Sequence, residues 1–123
     1  MLQIRAAMRD AISLHDLDAV DPNVADATLA ALGELMTRDE RDALARYLEP
    51  ALRTSLLRST HTRAFGSEEL YLRAGAREQA QVILETIGRK APPEVVHLVE
   101  RALPRELAEL LHDQRAISTI TPK

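Results

Sequence analysis

The densest group of chemically capable side chains is His15, Asp16, Asp18 and Asp21 in the stretch HDLDAVD. Imidazole and carboxylate oxygens together can hold a divalent metal that polarises a phosphoryl oxygen and activates a water. A metal phosphohydrolase of the His-Asp type needs further ligands from several longer helices. The nearest other histidines, His61 and His97, lie in a joint and on a helix without acidic partners at ligand spacing. A calcium loop fails as well, because no glycine occupies the turn and Ala27 stands where a bidentate glutamate is required. The expected role of this stretch is a polar connector with Asp21 as a helix cap. His15, His61, His97 and His112 show no H-x-x-x-H spacing and are expected at or near the surface. No metal and no cofactor is expected.

Nucleophilic catalysis has no better footing. Ser13, Ser55, Ser59, Ser67 and Ser118 lie outside any G-x-S-x-G context. The four glycines form no phosphate-binding loop. The expectation is a protein without catalytic residues, and a non-enzyme is favoured.

Charge is more informative. Between Pro50 and Ser67 there is no acidic residue, while Arg53, Arg58, His61 and Arg63 all fall there. This basic strip is a candidate contact for an anion, an acidic partner or a carboxylate, since guanidinium groups grip such oxyanions in pairs of bonds. The whole chain carries a net charge of −3 and only 2% aromatic residues, so it offers little attraction or base stacking for nucleic acid. Leucines provide the other candidate surface. Leu57 and Leu110, with Ile117 and Ile120 of the tail, are apolar residues that could be left over after the core is sealed and meet a partner.

These residues must be positioned by helices. With three aromatic residues and no tryptophan, the core of this 123-residue chain is built from Leu, Ile, Val and Ala. That length suits one domain burying roughly two-thirds of its unfolded surface. Absence of cysteine excludes disulfides, thiol catalysis and cysteine zinc sites. No apolar run approaches a membrane span, and the N-terminus lacks a signal-peptide pattern, so a cytoplasmic bacterial protein is expected.

In chain order, Ile4, Met8, Ala11 and Ile12 predict an amphipathic helix over about 2–14. Asp21 followed by Pro22 predicts the start of a second helix ending near Met36, with Val24, Ala25, Thr28, Leu29, Leu32 and Met36 as its stripe. Thr37 and Glu40 form a capping box for a third, and Pro50 forces a break near Glu49 before a fourth. Ser67 is expected to cap a fifth helix, with Leu70 and Leu72 on its apolar side and Gly75 as its stop. A sixth follows over 77–89, a seventh after Pro92 and Pro93, and an eighth after Leu103 and Pro104 carrying Leu107, Leu110 and Leu111. Residues 114–123 are expected as a short tail.

The stretch from Ala25 to Leu57 returns 55 positions later as Ala80 to His112 without a gap. Leu29 falls on Leu84, Gly33 on Gly88, Leu48 on Leu103, Leu52 on Leu107 and Leu56 on Leu111. A regular recurrence of apolar positions signals a repeated helical unit that buries its face against its twin. The expected fold is therefore all-α: one domain of seven or eight short helices in two similar halves, about 16–57 and 66–112, related by an approximate two-fold.

Those halves carry a recognisable pattern, clearest in AFGSEELYLRAG followed by VILETIGRKAPPEVVHLVERALPRELAELL. It resembles the small bacterial two-repeat proteins of domain-of-unknown-function family 2267. There a capped helix containing phenylalanine precedes each A-x-x-x-L-x-x-L-G stretch, and Q-L-P-x-x-L closes the repeat. Here Tyr47 and Ala102 stand where the glutamine would be, and the first half has Leu-Glu-Pro in place of Leu-Pro. The resemblance implies an all-helical fold and no known catalytic residues, so it leaves function open. The functional expectation is a helical protein-interaction module that self-associates; the alternative is a small-ligand or anion binder using the basic joint.

Overall fold

The computed structural model describes residues 12–59 and 61–120, with side chains described as far as His112. Seven α-helices and one 3-10 turn are present among them: the turn Leu14–Leu17, α1 Pro22–Leu35, α2 Arg38–Ala45, α3 Pro50–Leu57, α4 Ser67–Ala74, α5 Arg77–Lys90, α6 Pro93–Ala102 and α7 Arg105–Ile120.

The expected caps account for most boundaries. Asp21 accepts a bond from the Asn23 N–H at 2.8 Å with Pro22 in the first turn of α1. Thr37 and Glu40 satisfy each other's backbone N–H at the start of α2 (3.2 and 2.8 Å). Pro50 opens α3, so the break falls at Glu49. Gly75 ends α4 with φ of 84°, a left-handed conformation that costs a side chain with a Cβ but not glycine.

Several expectations are corrected. Ile12 is extended rather than helical: its N–H donates to the Tyr47 carbonyl and its carbonyl accepts from the Glu49 N–H, both at 2.9 Å. The rest of the expected first helix lies outside the described residues. The connector is ordered by a second capping box, in which the Asp16 carboxylate accepts from the Ser13 N–H at 2.9 Å. Gly66, not Ser67, occupies the cap of α4; the Ser67 hydroxyl donates instead to Glu106 on α7 at 2.5 Å. Leu72 does not share the apolar side with Leu70: Leu70 is fully buried and Leu72 is 81% exposed. The last helix, α7, continues to Ile120.

Helix starts recur at the sequence offset of 55: positions 22, 38 and 50 open α1, α2 and α3, and positions 77, 93 and 105 open α5, α6 and α7. Packing follows the same correspondence. α1 lies along α3 as α5 lies along α7, and α1 receives α4 as α5 receives the 3-10 turn. One continuous core draws Leu29, Leu32, Leu44, Leu48 and Leu56 from one half and Ile83, Leu84, Ile87, Val99, Leu107 and Leu111 from the other. Each such side chain stabilises the fold by about 1.5–3 kcal/mol relative to exposure.

Two glycines set how closely the long helices cross their partners. A Cβ at Gly33 would stand 2.3 Å from the Leu56 carbonyl oxygen, and one at Gly88 would stand 1.9 Å from that of Leu111. Both glycines and both leucines are 55 apart, so the same close crossing is built twice. Glycine here serves close backbone approach, not an unusual φ.

Candidate functional site

Arg53, Arg58 and Arg63 of the joint each engage a different set of partners within the chain. Arg53, on α3, donates from Nε to the Ala45 carbonyl at 3.1 Å and from Nη2 to the Leu48 carbonyl at 3.0 Å. It closes the carbonyl end of α2, the end of a helix that attracts cations. Arg58 forms a two-bond fork with Asp26 of α1, at 2.8 and 2.6 Å, and the Ser55 hydroxyl donates to the same carboxylate at 2.6 Å. These bonds, Arg58 first and Ser55 second, hold Asp26 below the usual carboxylate range. Arg63 reaches the Glu34 carboxylate only at 3.9 Å, while its backbone N–H donates to the Glu34 carbonyl at 2.6 Å. His61 is exposed and makes contacts within the chain.

The joint is further fastened by a residue outside the strip. Arg73 of α4 pairs with Glu34 and with Glu69, both at 2.7 Å, and lies 4.5 Å over the Phe65 ring. Glu34 raises the affinity of Arg73 for its proton against the opposing effect of burial, and Glu69 adds to it. The cation is thus held by two carboxylates and an aromatic face.

The acidic stretch at the front resolves into structural contacts. Burial pushes Asp16 up, but the Ser13 backbone N–H and the Lys90 ammonium, 3.4 Å away, outweigh it and hold the carboxyl below its ordinary value. Asp21 caps α1. His97 and His112 both face Glu100, at 3.8 and 3.3 Å. Among the described residues, no group of three or more His, Asp or Glu side chains is placed to hold a metal ion.

The apolar candidates separate as well. Leu57 is 38% exposed at the end of α3, whereas Leu110 is half-buried and packs on the core. The side chains of Ile117 and Ile120 lie outside the described residues.

Sequence reasoning missed the most exposed large hydrophobic side chain among the described residues, Leu72, at the corner where α4 passes into α5. Leu72 projects there beside a hollow of about 430 Å³ lined by Glu68, Tyr71, Leu72, Gly75, Ala76 and Arg77. Arg77 lies 4.9 Å over the Tyr71 ring, and the Tyr71 hydroxyl accepts from Gln81 at 3.2 Å. A signal was available: Leu70 and Leu72, two positions apart, are about 200° apart around a helix, so they cannot face one core.

The family model described as "uncharacterized conserved protein", domain-of-unknown-function family 2267, matches residues 5–110. No curated protein and no solved structure matches the chain significantly.

Proposed function

The chain belongs to domain-of-unknown-function family 2267, and from its geometry we propose a non-catalytic helical interaction module that self-associates through the α4–α5 corner. The observation that carries this reading is Leu72, 81% exposed on a helix whose other aliphatic side chains, Leu70 and Ala74, are buried. One exposed leucine is ordinary on a surface. Leu72 differs because a hollow with a half-buried tyrosine and two small residues opens beside it. A projection and a hollow on one patch are what an isologous two-fold contact requires, since each copy then offers both. Glu68 and Arg77 line the same hollow and carry opposite charges, so the patch is self-complementary in charge too.

Withdrawing each Leu72 from water contributes about 1.5–3 kcal/mol. One helix corner is small beside the roughly 1,200–2,000 Å² buried in stable complexes. The pair is therefore weak and concentration-dependent. Sedimentation equilibrium over a wide concentration range tests this: the wild type is expected to move from monomer to dimer, and Leu72→Glu to stay monomeric. A wild-type chain that remains monomeric throughout would overturn the reading.

A further inference from the structure

A different site stands on Arg41 of α2. This side chain is only 5% exposed. Its Nη1 donates to the carbonyls of Gly33 at 2.8 Å and Met36 at 2.7 Å, at the end of α1. A helix end presents roughly half a negative charge, and a guanidinium stays fully charged. The compensation is therefore partial, and no carboxylate among the described residues pairs with Arg41.

The remaining donors, Nε and Nη2, make no hydrogen bond among the described residues, yet neither is a sealed, unpartnered atom; Thr28 Oγ1 is the one such case there. Arg41 lines a hollow of about 360 Å³ together with Arg38, Asp42, Leu57 and Ser59. Nε and Nη2 form the edge of a guanidinium that matches the two oxygens of a carboxylate.

The matching position of the other half carries no cation. The position 55 residues on is Val96, 2% exposed, at the matching place on α6. An apolar side chain packs that niche in the other half.

Charge then narrows the ligand. Two arginines against one aspartate, with part of the Arg41 charge already met by the end of α1, leave at most a single net positive charge around the hollow, which suits a monoanion and disfavours a phosphate dianion facing Asp42. The Ser59 hydroxyl donates to the Ala30 carbonyl at 3.2 Å, so the remaining wall is the partly exposed Leu57. We infer that this hollow binds a monocarboxylate bearing a short aliphatic group, with the carboxylate on Arg41 and Arg38 and the aliphatic group against Leu57. This site involves none of the residues of the α4–α5 corner and stands whether or not the chain self-associates.

NMR titration of the full chain tests it, with isovalerate, its neutral amide, inorganic phosphate and a tripeptide ending in leucine as probes. Isovalerate is expected to shift the α2 amides and Leu57 methyls, with phosphate and the amide each at least about tenfold weaker. Arg38→Ala is expected to weaken isovalerate about tenfold, and Arg41→Lys, which loses the two-bond edge, at least as much. Should Arg41→Lys fail to fold, Arg38→Ala and Leu57→Ser carry the test, with Arg63→Ala expected to leave binding unchanged. A tripeptide binding more tightly than isovalerate identifies a chain terminus as the source; the reverse order identifies a free acid. No shift with isovalerate, or equal binding of acid and amide, overturns the proposal.

Discussion

The two halves share a crossing and differ in the chemistry around it. Gly33 against Leu56 and Gly88 against Leu111 bring two helix pairs into backbone contact at matching positions. Around the first crossing stand Arg41, Arg53 and Ser55, each with a polar partner. At the corresponding positions of the second stand Val96, Ala108 and Leu110. Apolar packing suffices for the helical pair, so the polar set of the first half is an addition to a framework that does not depend on it. Functional chemistry is therefore to be sought where the halves diverge.

The largest test of this comparison is Gly88→Ala. Three backbone atoms of Leu111 would lie within 2.7 Å of the new Cβ, so neither helix can yield cheaply. A loss of about 3 kcal/mol or more is expected in urea unfolding, well beyond the ~1 kcal/mol that alanine gains in helix propensity. Gly33→Ala should cost less, because only the Leu56 oxygen falls inside 3 Å. Negligible losses at both positions would show that the crossings are not held by backbone contact.

Next in size is Arg41→Val, which installs the residue found 55 positions on. Loss of its two bonds to carbonyls should cost about 1–3 kcal/mol in thermal or chemical unfolding. An unfolded product would mean that the first half needs its guanidinium, and the comparison would fail.

Asp26→Asn removes the negative charge and one of the two acceptor oxygens of the Arg58 fork. With the Asp26 side chain 40% exposed and that of Arg58 56% exposed, screening limits the effect to about 1 kcal/mol or less. Its pH dependence is the sharper reading. The folded-state pKa lies below the ordinary 3.8, so the contribution is present above that value and disappears as pH falls through the lower folded value. Unfolding curves of wild type and variant should therefore differ near neutrality and converge in strong acid. A constant difference across that range would remove Asp26 ionisation from the account.

The smallest effect is expected at Leu72. Leu72→Ser should change the stability of the dilute monomer by no more than about 0.5 kcal/mol, while shifting the concentration dependence of its mass. A large loss in dilute solution would place Leu72 in the core and contradict its exposure.

Local chemistry made much of the fold legible. Asp21–Pro22, Thr37–Glu40, the break at Pro50 and the stop at Gly75 are each decided by a few neighbouring residues, and each stands where the sequence places it. The sites were less legible because they depend on distant pairs. Arg58 and Asp26 are 32 residues apart, and Ser67 and Glu106 are 39 apart. Arg41 sits in the charged run RDERD, which reads as a solvated helix face until the end of α1 is laid over it. Leu72 was within reach of simple helical geometry and was misplaced by treating any leucine near Leu70 as core.

The fastening of the joint has a consequence for how two copies can meet. Thr62 donates to the Met36 carbonyl at 2.9 Å, the Arg63 N–H donates to the Glu34 carbonyl at 2.6 Å, and Arg73 ties Glu34 to Glu69. Exchanging one half for that of a neighbour would require this linker to peel away from α1 and swing out as a hinge. The bonds to Met36 and Glu34 would all break before any is regained, while the Arg73–Glu69 pair inside α4 would move intact. The joint is thus a guard against domain swapping, and it confines the pairing proposed above to surface-to-surface contact.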